Sequence, residues 1–100
     1  MKNILLYVFG DEIRVYCVPD EVADNLKKYC YEFFDWMKTS PEAIKYRNNG
    51  VLHYDEDDFI FYLNKFICKN HMSKFIKTLS SIYKIEDVPD EYQNCEYFCF

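Results

Sequence analysis

Glycine is scarce in this chain, with two residues in one hundred. That scarcity excludes the glycine-rich turns that cradle phosphates, and no Gly-x-Ser-x-Gly elbow is present either. Histidine is equally rare. His53 and His71 both fall where loops or strand edges are expected, so nothing suggests a nucleophile with its base. Cysteine is present but without the arithmetic of a disulfide framework: five residues, an odd number, at irregular spacings. Long apolar runs are missing too. The first residues hold six apolar positions before Gly10 and two acids, too few for a signal-peptide core, and no later run approaches the roughly 20 residues of a membrane span. A cytoplasmic protein with reduced thiols and no membrane contact is the expectation.

Positive charge is also in deficit. Twelve basic residues face seventeen acidic ones, for a net charge of −5. Residues 1–50 are nearly balanced at seven against eight, whereas residues 51–100 hold five against nine. An acidic excess repels phosphate backbones and favours a basic protein partner, so no nucleic-acid partner is expected.

Rings are what the chain has in quantity: one residue in five is aromatic and half are apolar. One hundred residues make a single compact domain, residues 1–100, with a core built largely from those rings. No linker, low-complexity tract or convincing repeat interrupts it. Val18-Pro19-Asp20-Glu21 does recur as Val88-Pro89-Asp90-Glu91, but the flanks differ and Pro-Asp-Glu is simply a good way to begin a helix.

The clearest element is residues 20–38. At about 100° per residue, Val22, Leu26, Tyr29, Phe33 and Trp36 form one stripe, with Cys30 and Met37 beside it. Asp24, Lys27, Lys28, Asp35 and Lys38 occupy the other face. Their ion pairs contribute only a few tenths of a kcal/mol each, so burial of the aromatic stripe must hold the helix. Tyr31 falls on the charged face and Phe34 at its edge.

Residues 3–9 and 12–18 read as a β-hairpin turned by Gly10-Asp11. A two-residue loop would set Val8 against Ile13, Leu6 against Val15 and Ile4 against Cys17. That gives one apolar face for the helix, with Leu5, Tyr7, Arg14 and Tyr16 on the other. Ser40-Pro41-Glu42 caps and starts a short helix that Asn48-Asn49-Gly50 ends. Residues 51–54 are a candidate third short strand joining the hairpin. Residues 55–69 form a second helix, with Asp55 as cap and Asp58 in the capping-box position. Phe59, Leu63 and Phe66 define its buried stripe, and Phe61 points the other way. Residues 73–84 have helical period and are read as a helix, although their β-branched and aromatic residues also suit a strand. The apolar tail from Tyr92 to Phe100 is expected to dock on the domain. The fold class is therefore α+β: an N-terminal antiparallel β-hairpin, with room for a third short strand, packed against three to four helices.

Chemistry is harder to place. Cys68 and His71 are spaced C-x2-H, and Cys95 and Cys99 are spaced C-x3-C. Zinc needs four ligands in tight pairs, and two thiols among rings behave as small hydrophobes. Asp55-Glu56-Asp57-Asp58 suggests a metal nuclease, but two-metal carboxylates converge from different elements. Adjacent acids fan around a helix axis, so the run reads as a solvated helix start. Cys68 with His71 lacks a third, orienting group. No enzyme, metal or cofactor is expected. What remains is a protein-binding module, an inhibitor or immunity-type protein that neutralises a basic nucleic-acid-processing enzyme. The candidate partner-binding residues are Asp57, Asp58 and Phe61, with Tyr31 and Phe34 as neighbours. The rival reading is a structural subunit that buries its aromatic tail in a homodimer. Thiol titration of the denatured, unreduced protein tests the redox reading: it should return close to five groups, and a value near one or three would mean disulfides.

Overall fold

The computed structural model describes residues 1–100 and has one four-stranded mixed sheet with helices on one face. Strands β1 (Lys2–Tyr7) and β2 (Arg14–Val18) form the expected antiparallel hairpin at its centre. Helices α1 (Asp20–Asp24) and α2 (Leu26–Thr39) follow. A 3-10 segment, Pro41–Tyr46, leads into a tiny ladder of β3 (Arg47–Asn48) and β4 (Val51–Leu52). Helix α3 (Glu56–Tyr62) runs into a π-turn, Leu63–Ile67. Strand β5 (Lys74–Thr78) and, after two 3-10 turns, strand β6 (Tyr97–Cys99) complete the sheet in the order β5-β2-β1-β6. β6 runs parallel to β1; the other pairs are antiparallel.

The hairpin differs from its expected register by one residue. Ile4 faces Tyr16, Leu5 faces Val15 and Leu6 faces Arg14. Val8 to Ile13 form a wider turn, in which the Asp11 N–H donates to the Val8 carbonyl at 2.9 Å and Gly10 adopts φ +90°. A one-residue slip moves every side chain of a strand to the opposite face. Tyr16 therefore turns inward beneath the helices, and Ile13 and Val15 turn to the far side. The slip is tolerated because both faces are buried. Ile4, Leu6, Tyr16 and Val18 join the helix-side core, while Leu5, Ile13 and Val15 join a second core with Leu79, Val88 and Tyr92. Ile13 is also claimed by the backbone beyond β5: it donates to the Ile82 carbonyl at 2.9 Å and accepts from the Leu79 N–H at 2.8 Å.

Residues 73–84, expected as a helix, form β5 and a turn instead. Pairing with β2 satisfies a sheet edge, and Ser81, at φ +64°, cannot continue a helix. Residues 51–54 do not join the hairpin; β4 pairs only with β3 through a turn in which Asn49 and Gly50 both have positive φ, the backbone of a type I′ turn. The long first helix is broken at Asn25 (φ −131°), whose side-chain amide donates to the Glu21 carbonyl at 3.0 Å and displaces a helical bond. The second helix is likewise shorter than expected. After Tyr62 the chain widens, the Cys68 N–H donating to the Leu63 carbonyl at 2.7 Å. Pro19 and Pro89, from the repeated tetrapeptide, adopt matching backbone angles (φ −55°, ψ 147° and φ −56°, ψ 154°), and each begins a helical turn.

Other expectations are met closely. Ser40 Oγ accepts the Glu42 N–H at 3.2 Å. Asp55 and Asp58 form a reciprocal capping box at 2.9 and 3.2 Å. The tail docks: Phe98 and Phe100 cover Phe34, and the Phe100 N–H donates to the Tyr7 carbonyl at 2.8 Å. Phe33 is the centre of the helix-side core, fully buried among Trp36, Tyr54, Phe59, Tyr62 and Phe100. Replacing Phe33 by Ala should therefore cost about 3–5 kcal/mol in urea unfolding, whereas Tyr31→Ala, at an exposed position on the same helix, should cost under about 1 kcal/mol. Equal losses would mean the ring cluster is not the stabilising element.

Candidate functional site

The end of β2 meets the start of α3, and the meeting is polar. Tyr16 is fully buried up to its hydroxyl, which donates to Asp57 Oδ1 at 2.7 Å. Arg14, two residues earlier on the same face of the strand, places Nη1 3.4 Å from Asp57 Oδ2 and Nε 3.7 Å from Glu56 Oε2. On the other side of the helix turn, the Tyr46 hydroxyl donates to Asp58 Oδ1 at 3.4 Å. The acidic run does begin a helix, as its sequence suggests, but it is not freely solvated. Glu56 is only 4% exposed, and the capping box holds its neighbours in place.

Burial raises the Glu56 carboxyl above the ordinary glutamate range, with Arg14 acting in the opposite direction. Burial likewise raises Asp58, against its backbone hydrogen bond at Asp55. Tyr16 is raised by desolvation first and by its bond to Asp57 second. Arg14 and Glu56 open onto a cleft of about 460 Å³, lined also by Gly10, Asp11, Glu12, Thr78 and Tyr83. Its far wall is tied down by Glu12, whose carboxylate accepts the Ser81 N–H at 2.5 Å. Three carboxylates therefore face one guanidinium there. Beside the cleft, on the hairpin tip, Phe9 is 88% exposed, and Tyr83 is half-exposed on its rim.

The residues singled out in the sequence are distributed as follows. Asp57 and Asp58 lie on one turn, and each is engaged by a tyrosine hydroxyl. Phe61 is 44% exposed, and the groups flanking its ring are the ammonium groups of Lys45 and Lys65, each 5.4 Å from the centroid. Tyr31 is exposed and pairs with Phe34 (6.3 Å) and Phe98 (6.1 Å), while Phe34 is half-buried under the tail. Sequence reasoning missed Phe9, Glu12, Arg14, Glu56 and Tyr83. One signal was available: Arg14 is the only basic residue between Lys2 and Lys27, set close to Asp11-Glu12. No group of three or more His, Cys, Asp or Glu side chains converges as metal ligands would, and all five cysteines are free thiols. No helix is long and apolar enough to cross a membrane. The chain matches no protein-family model, no curated protein and no solved structure.

The buried carboxylate predicts a pH dependence. Glu56 holds its proton to higher pH in the folded than in the unfolded state, so the folded state binds more protons between the two values. Stability should then fall as pH rises from about 4.5 through the raised value, and level off above it. Asp58, shifted the same way, adds to that slope from about pH 3.8. Urea unfolding across this range should show a shallower fall in Glu56→Gln than in the wild type; identical slopes would mean Glu56 titrates as an exposed side chain.

Proposed function

We propose that this protein is a small acidic protein-binding module, an inhibitor or immunity-type protein that neutralises a basic, nucleic-acid-processing enzyme in the cytoplasm. The observation that carries the reading is the open acidic cleft at the hairpin end with an exposed ring beside it. Aromatic side chains dominate interface energies, and surrounding carboxylates speed encounter with a basic partner. Phe9, on a turn held by Gly10, is presented as an anchor would be, with Asp11 and Glu12 next to it. Asp57 continues the acidic surface, since Arg14 links it to Glu56. Asp58 and Phe61 on one side, and Tyr31 and Phe34 beside Phe98 on the other, share no contact with each other, and the lysine-flanked Phe61 ring is less suited to a basic partner than the cleft.

Catalysis draws less support. Both histidines are exposed, neither accompanies a nucleophile, and the buried carboxylate is held by an arginine. A homodimer through the aromatic tail is also less well supported, because Phe98 and Phe100 already pack within their own domain.

Affinity capture from the native cytoplasm, followed by binding kinetics on the captured protein, tests this reading. The partner should be basic. Reversing charge with Asp11→Lys and Glu12→Lys should slow association and flatten its salt dependence. Phe9→Ala should cost about 2 kcal/mol of binding with little change in stability. If those variants bind normally while Phe61→Ala does not, the contact surface lies on α3. If no basic partner is recovered and the protein is a tight dimer by size-exclusion mass measurement, the inhibitor reading fails.

A further inference from the structure

The charge of this acidic chain is segregated in a way that its net value hides. Between Asp58 and Glu86 there is no acidic residue, and the five lysines of residues 51–100 all fall in that interval: Lys65, Lys69, Lys74, Lys77 and Lys84. Strand β5 lies in the middle of it, at the outside of the sheet, hydrogen-bonded to β2 on one side only. Its start is closed by a side chain that imitates a neighbouring strand: Asn64 Oδ1 accepts the Ser73 N–H at 2.6 Å, and Asn64 Nδ2 donates to the Ser73 carbonyl at 3.0 Å. Beyond Ser73 no element of the chain pairs with the outer side of β5. The same strand exposes apolar side chains, Phe75 at 50% and Ile76 at 41%.

We propose that the outer edge of β5 receives an extended, acidic segment of a partner protein as a fifth strand of the sheet. Main-chain hydrogen bonds supply affinity in strand addition, and alternate side chains supply specificity. Here Ile76 and the half-exposed ring of Phe75, which packs edge-on against Tyr16 at 5.6 Å, offer apolar contact, and Lys74 and Lys77, the latter over the Tyr92 ring at 5.5 Å, select carboxylates. A second copy of β5 fits poorly, because lysine would meet lysine across the new ladder. The irregular pairing at Ile76, where the register skips between Val15 and Tyr16, bends this edge, so the added strand must be a flexible segment that follows the bend. A nucleic acid would use the lysines but not the unpaired backbone edge, and would approach a protein of net charge −5. The inference stands on β5 alone and does not depend on the cleft at the hairpin end.

Amide NMR of the full chain tests it with three probes: a capped decapeptide of alternating Glu and Val, its Lys/Val counterpart, and single-stranded oligothymidine. The Glu/Val peptide should shift and protect the amides of residues 74–78, with Kd on the order of 1 mM or tighter. Lys74→Glu with Lys77→Glu should weaken it by about tenfold. A Glu/Val peptide N-methylated at alternate amides, which cannot complete a ladder, should lose binding to the unaltered protein whether or not that variant folds. Equal binding of both peptides, undiminished binding of the N-methylated peptide, tighter binding of oligothymidine, concentration-dependent shifts at β5 without any probe, or no response at β5 would each overturn the proposal.

Discussion

A strand that reads Ile4-Leu5-Leu6 has no face to give to water. Successive side chains point to opposite sides of a sheet, and all three of these are buried. The hairpin must therefore be covered twice, and the rest of the chain is arranged to do it. On one side α2 and α3 bring the ring cluster around Phe33. On the other side the chain has no helix left to spend, so Leu79, Val88 and Tyr92 are delivered by a segment of turns. Strands β5 and β6 then widen the sheet beyond the hairpin, one on each side.

Covering the hairpin brings charge inward as well. α3 starts against β2, so the acids that suit a helix N-terminus arrive beside Arg14 and Tyr16. A carboxylate removed from water is costly unless paired, and breaking a buried pair costs more than the pair contributes. The Arg14–Glu56 contact consequently acts less as a net stabiliser than as a constraint on where α3 can begin, and the Tyr16 hydroxyl, bonded to the exposed Asp57 carboxylate, is a second tether at the same place. Of these contacts Arg14–Glu56 also lines the cleft, so the packing of the fold and the acidity of the candidate site have one origin.

Charge is divided along residues 51–100, with acids and lysines in separate intervals. The division follows from chain order: the interval from Phe59 to Ile85 contains no acid, and the sheet sets its middle at an edge. Asp11, Glu12 and Glu56 meet at the hairpin-end cleft, which Thr78 at the end of β5 also lines, and Lys77 of β5 lies over the ring of Tyr92, the residue after Asp90-Glu91.

Local chemistry alone decided a good part of this protein. The aromatic stripe from Leu26 to Met37, the Ser40 cap, the Asp55–Asp58 capping box, the hairpin and the docking of the tail each depend on residues a few positions apart or on plain apolar content, and those are legible without a fold. Tertiary structure decided the rest. The hairpin register was beyond the sequence because both faces of β1 are apolar, so alternation could not say which side each residue takes. Residues 73–84 could serve as helix or strand, and the free edge of β2 settled the matter. Glu56 looked like its acidic neighbours until Arg14, forty-two positions away, placed it in the interior. Register, edge pairing and the burial of a charge are relations between distant segments, and only their packing fixes the energies that choose among them.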